Sequence, residues 1–378
     1  MKTRQLVRIG ALVVALALTT AACKSKDANN SSTATTAGGN DEVKGLSIDY
    51  ANLSATLNAS GSTFQANLQE AAKAGFLEVA PKVTVNYAGG GSGKGKTDLQ
   101  GQVVDFAGSD SLIKPEEKAS YKGGEVLYFP IAAAPITVAY QLSGVSKLQL
   151  SADTIAKIFQ VQITKWDDPA IKADNPGVTL PSTNIVVVHR AEGSGTTSNF
   201  TGYLTKAAPT AWTLGKGDTV NWPASTQAGS GNQGVAQLIG NGTGTLKGTD
   251  GAIGYVDFAD AKATNLKTAS IKNAAGKFVA PSLAGVSAAL EETTPAADLT
   301  FDPLNAAGDS TYPIATPTWI LVYKNQTDKA KGEALKGFLN YILTDGQALN
   351  QTANYASLPA SYRTKAIAQL KTLVIPTA

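Results

Sequence analysis

The sequence predicts an α/β chain folded as two lobes joined by two extended crossings. Three observations carry this. The length, 378 residues, exceeds what one hydrophobic core usually holds. Short β-branched runs are repeatedly followed by small-residue turns and then by apolar residues at helical spacing, the sign of alternating strands and helices. Two apolar segments, Tyr128–Tyr140 and Thr311–Tyr323, each carry two prolines a few residues apart and suit extended crossings better than helices. Ordinary edge strands would also tolerate those prolines.

The chain opens with Lys2, Arg4 and Arg8, an apolar run from Ile9 to Thr19, and Thr20-Ala21-Ala22-Cys23. This reads as a secretory leader over residues 1–22. The apolar run is too short to span a bilayer. Cys23 is the sole cysteine, placed as in a bacterial lipobox, although Thr20 stands where Leu is usual. The expectation is a lipidated N-terminal Cys23; plain secretion with a free thiol is the alternative. Residues 23–45 are rich in Ser, Thr, Asn, Ala and Gly with no apolar period, so a flexible tether is expected. About twenty such residues reach on the order of 25 Å.

The formal net charge of +3 comes from the leader, because from Cys23 onward 29 basic residues face 29 acidic ones. A neutral body lacks the basic footprint of nucleic-acid binding. Any anion selectivity must be local.

Along the body, Gly61-Ser62-Thr63-Phe64 is a small turn before a helical stretch from Gln65 to Gly75, with Leu68, Ala71 and Ala72 on one face. Val83–Tyr87 reads as a strand. Gly90–Thr97 then matches G-x-x-x-x-G-K-[ST], the phosphate-cradling P-loop pattern. Against an NTPase stand the secretory leader and the spacing of Val103-Val104-Asp105, only eight residues past Thr97, tight for a crossover to a magnesium-binding strand. The milder reading is an anion-binding turn around Ser92. Asp110 follows a third strand-and-turn. An ionised carboxylate only accepts hydrogen bonds, so it suits an oxyanion that still carries a proton and repels one that does not. It could equally cap a helix over Pro115–Ser120.

The fourth turn is the fullest. Ile185–Val188 is a β-branched strand, followed by Arg190, Glu192, Gly193-Ser194-Gly195 and Thr196-Thr197, with Phe200, Tyr203 and Leu204 at helical spacing. Helix N-termini present unpaired amides and the positive end of the dipole. Arg190 adds a planar fork of donors, Ser194, Thr196 and Thr197 add hydroxyls, and Glu192 is placed to hold the guanidinium. A plain N-capped helix with a surface Arg–Glu pair would use the same residues.

Taken in order, these four turns resemble the phosphate-binding protein of the bacterial Pst phosphate transporter. So do Ile163–Ile171, Leu180–Ile185, Gly251–Asp257, Tyr312–Ile314 and Tyr355–Pro359. The resemblance implies a two-lobed periplasmic-binding-protein-like fold of type II, with lobe 1 over residues 46–130 plus 314–378 and lobe 2 over 131–313. It implies phosphate contacts at Ser62, Thr63 and Phe64, at Ser92 and Asp110, and at Arg190, Ser194, Gly195 and Thr196, with the backbone serving at Ser62, Phe64 and Gly195. Glu192 would support from behind, where the family commonly has Asp. Gln65 replaces a usual Pro, and Lys94 and Lys96 occupy a turn that is otherwise small. The implied function is a monomeric, lipid-anchored solute-binding protein on the outer face of the bacterial cytoplasmic membrane. It would capture inorganic phosphate for an ABC permease, without catalysis, cofactor or metal.

Two other readings remain open: a secreted phosphatase-like or nucleotide-hydrolysing enzyme, and the same fold binding sulfate or another oxyanion. His189 is the only histidine, and its neighbour Arg190 points to the opposite strand face, which disfavours a Ser-His-Asp engine. Leu148–Phe159 and the stretches Thr327–Leu343 and Ser361–Leu373 read as helices. Trp166 reads as a packing residue, and Trp212 and Trp222 as partly buried surface residues. Asn232, at a further helix start, is a weaker candidate donor.

Overall fold

The computed structural model describes residues 43–243 and 247–377. The expected leader, Cys23 and nearly all of the tether lie outside the described residues.

The first strands and helices alternate as the pattern requires: β1 (Ala55–Gly61), α1 (Ala66–Val79), β2 (Val83–Gly89), α2 (Ser92–Gln100) and β3 (Phe106–Ser109). A 3-10 turn over Pro115–Ser120 leads into the long strand β4 (Val126–Tyr140). The chain continues through β5 (Gln149–Leu150), α3 (Ala152–Phe159), α4 (Pro169–Asp174), β6 (Val186–Arg190), α5 (Gly195–Ala207), β7 (Gln227–Gly229), α6 (Gly231–Ile239) and β8 (Ala252–Asp257). After α7 (Phe258–Ala263), β9 (Lys267–Thr268), β10 (Ser270–Lys272), β11 (Phe278–Val279) and α8 (Leu283–Glu291) comes β12 (Ala315–Tyr323). Helices α9 (Lys329–Leu343), α10 (Ala348–Thr352) and α11 (Ala360–Leu370) complete the order.

The main sheet runs β2-β1-β3-β12-β4-β8-β6-β7, with β9 also on β4. Two parallel groups, β2-β1-β3 and β8-β6-β7, are joined through the antiparallel pair β4 and β12. Residues 126–135 of β4 pair with β12, and residues 136–140 pair with β8. One strand therefore serves both lobes. The two proline-bearing segments are thus central neighbours rather than edge strands. Both are buried almost throughout, as expected of strands covered on two faces.

Prolines in a central ladder need an irregularity. Trp319 pairs with Pro130 while Thr318 pairs with Ala132, which leaves Ile131 as an extra residue. The bulged Ile131 carbonyl is satisfied from outside the ladder by Gln347 Nε2 at 2.9 Å and Asn350 Nδ2 at 3.3 Å. The bulge lies opposite the Thr318–Trp319 step of β12.

Packing follows the periodicities. In α1, Leu68, Ala72 and Phe76 are buried, spaced by four and so on one face. Phe76 meets Phe338 of α9 edge-on at 5.2 Å. In α5, Phe200, Tyr203 and Leu204 are fully buried, and Phe200 stacks on Tyr255 at 4.5 Å. Helix α9 starts two residues after Thr327, at Lys329, where the Asp328 side chain caps it by accepting from the Lys331 amide at 2.9 Å. The helix expected from Leu148 begins only at Ala152, because Ser151 caps it and residues 149–150 pair with β10. Trp166 is fully buried, as read. Trp212 is buried rather than at the surface; its ring lies 6.0 Å from that of the half-buried Trp222, and its indole N–H reaches the Gly215 carbonyl at 2.8 Å. Among the described residues no helix is long and apolar enough to cross a membrane.

Gly61 ends β1 at φ +138°, and a Cβ there would lie 2.1 Å from the Gly108 carbonyl oxygen. Gly61→Ala should therefore combine backbone strain with overpacking. Urea denaturation should show a loss on the order of 3 kcal/mol. A change below about 0.5 kcal/mol would show that the turn relaxes freely.

Candidate functional site

Four turns converge at the carboxyl ends of parallel strands β1, β2, β3 and β6, the usual place for a ligand crevice in an open α/β sheet. Each turn is built from residues small enough for backbones to approach.

At the end of β1, the Ser62 amide donates to the Gly108 carbonyl at 2.8 Å. Its backbone N–H is therefore held by the strand pairing, and it is the hydroxyl that faces the crevice. Ser62 Oγ accepts from the Phe64 amide at 3.0 Å and donates to Asp110 Oδ2 at 2.5 Å. Ser92 opens α2. Its Oγ accepts from the Asp110 amide at 3.1 Å and lies 3.3 Å from Asp110 Oδ2. On β12, the Thr318 hydroxyl donates to Asp110 Oδ1 at 2.6 Å. Asp110 is thus a buried carboxyl ringed by hydroxyls, not a helix cap. The 3-10 turn at Pro115 follows Lys114 and has no side-chain cap.

Burial pushes the Asp110 carboxyl up to about 6, while the hydroxyl donors and the nearby Arg190 guanidinium pull it back down.

Arg190 ends β6 with its side chain almost wholly buried. Its Nε donates to Glu192 Oε1 at 2.8 Å, its second terminal nitrogen reaches the same oxygen, and its first lies 3.2 Å from Thr196 Oγ1. Glu192 is itself held by the Gly231 amide, at 3.1 Å from Oε1. The extra methylene relative to Asp still allows the contact, because Glu192 reaches round to the start of α6. Behind Arg190, the Tyr255 hydroxyl accepts from its amide at 3.1 Å and meets Thr197 Oγ1 at 2.6 Å. Burial pushes Tyr255 to about 12, so it remains a hydroxyl. His189 stacks on Trp222 at 5.0 Å, and burial lowers its affinity for a proton.

Ser194 caps α5 by accepting from the Thr197 amide at 3.3 Å. Gly195 is where the start of α5 meets the turns after β2 and β3. A Cβ there would lie 2.4 Å from Ser92 Oγ and 2.8 Å from Asp110 Oδ2, so only glycine admits the start of α5 to this position. Around it these elements are drawn together. Gly93 N donates to the Gly193 carbonyl at 3.0 Å, and Asn199 Nδ2 to the Asp110 carbonyl at 2.6 Å. Asn232 Nδ2 lies 3.2 Å from Thr63 Oγ1. Lys96 Nζ pairs with Asp218 Oδ2 at 2.8 Å.

Thus Ser62, Thr63, Ser92 and Asp110 are assembled against Arg190, Ser194, Gly195 and Thr196. Asn232, weighed only weakly in the sequence, joins them; its place at a strand-to-helix junction was the available signal. Thr318, Asn199 and Tyr255 also belong to the assembly. Nothing in their sequence context distinguishes them from ordinary core residues, since only the fold brings them here.

The P-loop pattern has a different explanation. Helix α2 begins at Ser92 and runs through Gly93 and Gly95, so no open loop precedes Lys96. A Cβ on Gly95 would meet Gly61 Cα at 2.7 Å, which makes Gly95 a helix-packing glycine. Lys96 is consumed by Asp218, Ser111 Oγ at 3.0 Å and the Leu112 carbonyl at 3.2 Å. Asp105 is bonded to Lys331 and to the Asn58 amide. Lys94 pairs with Asp98 one turn along the helix. Among the described residues, no three His, Cys, Asp or Glu side chains gather as a metal site.

Chemically, the crevice combines one fixed cation, several hydroxyls and an acceptor-rich carboxylate. It is suited to a small oxyanion carrying a proton.

The raised Asp110 group carries a pH signature. In anion-free buffer the folded protein holds this proton between about pH 4 and 6, where the unfolded chain has released it. Stability from this group falls as pH rises through that window and stays lost above it. A shift of roughly two units corresponds to about 3 kcal/mol. Urea unfolding should show the wild type losing about that much more stability than Asp110→Asn between pH 4 and pH 7; equal losses would contradict a raised Asp110.

The profile of the PBP superfamily domain matches residues 28–346. Phosphate-binding protein PstS 3 of Mycobacterium leprae (strain TN) is 35% identical over 320 residues, covering 82% of this chain and 85% of that protein. Phosphate-binding protein PstS of Pasteurella multocida (strain Pm70) is 35% identical over 296 residues, covering 77% and 83%. Among solved structures, a phosphate-binding protein from Stenotrophomonas maltophilia superposes with a TM-score of 0.65 at 21% identity, covering 83% of this chain and 93% of that one.

Proposed function

The chain belongs to the PstS family of phosphate-binding proteins within the PBP superfamily, and on that premise we propose that it captures inorganic phosphate outside the cytoplasm for an ABC importer. It is a solute-binding protein and not an enzyme. The observation that carries the reading is the apposition of Asp110, with its hydroxyl donors, to the start of α5 beside the buried Arg190.

Arg190 neutralises charge without needing to move, because Glu192 and Thr196 already fix its plane. Thr63, Ser92, Ser194 and Thr196 supply hydroxyls, and the first amides of α5, at Gly195 and Thr196, complement the oxygens. Ser62 contributes through its hydroxyl by orienting Asp110, and Phe64 supports Ser62 through its amide. Asp110 accepts a hydrogen bond from the ligand's remaining proton. Phosphate at neutral pH has one to give; sulfate has none and would set acceptor against acceptor.

The ligand bridges residues from both lobes, so binding and closure are one event. The lobes are residues 46–130 with 314–378, and residues 131–313. The finer reading includes a monomer tethered through lipidated Cys23 to the outer face of the cytoplasmic membrane, delivering phosphate to the permease. The leader-like residues 1–22 and the tether composition support it. The enzymatic alternative loses its support with Lys96, which is tied to Asp218.

Calorimetric titration of phosphate-stripped protein tests the assignment. Phosphate should bind far more tightly than sulfate. Arg190→Ala should weaken phosphate on the order of a hundredfold or more, the scale of stripping one partner from a buried charge pair. Asp110→Asn should bring sulfate and phosphate closer together by roughly tenfold or more. Tighter binding of sulfate than phosphate by the wild type would refute the ligand.

A further inference from the structure

Asp110 does its work only if its oxygens face the ligand as acceptors, and the structure holds that state in place from behind. Gln65, fully buried at the start of α1, places Nε2 at 2.7 Å from Thr318 Oγ1 and 3.1 Å from the Trp319 carbonyl. A carbonyl oxygen only accepts, so this end of the Gln65 amide is the nitrogen. The other end, Oε1, receives Gln69 Nε2 at 2.7 Å, which agrees. Thr318 Oγ1 therefore accepts from Gln65, and its single proton is directed to Asp110 Oδ1 at 2.6 Å. On the opposite side the Phe64 amide donates to Ser62 Oγ, which directs the Ser62 proton to Asp110 Oδ2. The space for the Gln65 amide comes from Gly108, where a Cβ would lie 2.8 Å from Gln65 Cδ.

We propose that Gln65 and Thr318 form a specificity-determining relay that keeps Asp110 Oδ1 a hydrogen-bond acceptor, and so enforces selection of a protonated oxyanion over a fully ionised one. The proposal rests on the phosphate reading above and adds two residues to it. Both are positioning residues that act through Asp110. Each donor given to the carboxylate stabilises its ionised form and occupies one of its lone-pair sites. A neutral Asp110 could donate to sulfate; the relay opposes that state. Gln65 stands where the resemblance expects proline, and a proline side chain carries no donor, so this part of the device is particular to the chain.

The test is the ratio of phosphate to sulfate affinity, by calorimetry at one pH, for wild type, Thr318→Val, Thr318→Ser and Gln65→Met. General damage to the cleft weakens both anions together and leaves the ratio alone. The relay predicts that Thr318→Val lowers the ratio roughly tenfold, the scale of one hydrogen bond to a charged group. Thr318→Ser should retain the ratio, and Gln65→Met should lower it in the same direction. Gln65→Met also reads the relay if Thr318→Val does not fold. A wild type that selects phosphate alongside a Thr318→Val with an unchanged ratio overturns the relay alone. A wild type that does not bind phosphate overturns the relay and the functional reading together.

Discussion

A guanidinium cannot be taken out of water without compensation, and the buried Arg190 shapes much of what surrounds it. Glu192 supplies the opposing charge from one side, and is itself anchored to the first amide of α6. Thr196 holds another nitrogen, and Tyr255 pins the backbone. The guanidinium is thereby held at the carboxyl end of β6, beside the amino end of α5, with no freedom left to lose when an anion arrives. Preorganised charge of this kind discriminates strongly because it does not reorganise around the wrong guest.

The opposite wall is arranged on the complementary principle. Burial makes Asp110 reluctant to ionise, and the surrounding hydroxyls and Arg190 oppose that reluctance. The outcome is a carboxyl that is raised yet still ionisable, set against the Arg190 cation. Glycines make the approach possible. Gly195 admits the α5 start against Ser92 and Asp110, while Gly61 and Gly108 let β1, β3 and the Gln65 amide come together behind them. Polar contacts surround this approach, including the Lys96–Asp218 pair and the Gly93–Gly193 backbone bond.

The stretch from Gly90 to Thr97 shows how chemistry follows from three-dimensional context rather than from a pattern. Its letters match a nucleotide-binding loop, yet Gly93 and Gly95 are folded into a helix that packs against β1, and Lys96 is spent on a neighbouring acid. The fold assigns those residues to packing and to contacts with residues 193 and 218.

Much was legible from the chain alone, because local rules dominate at strand-to-helix junctions. The β-branched run before Arg190, the small residues after it and the helical spacing of Phe200, Tyr203 and Leu204 require no distant partner to be read. Order along the chain also revealed the four turns and, through the family they resemble, the residues they carry. What tertiary structure alone decided were matters of long-range approach. Thr318 is 208 residues from Asp110, Asn232 is 169 from Thr63, and Ile131 bulges beside Pro130 where β4 pairs with the distant β12. The direction of a hydroxyl proton, the engagement of the Ser62 amide and the fate of Lys96 depend on partners that sequence separation hides. Hydrogen bonding acts over a few ångströms in space and carries no record of distance along the chain.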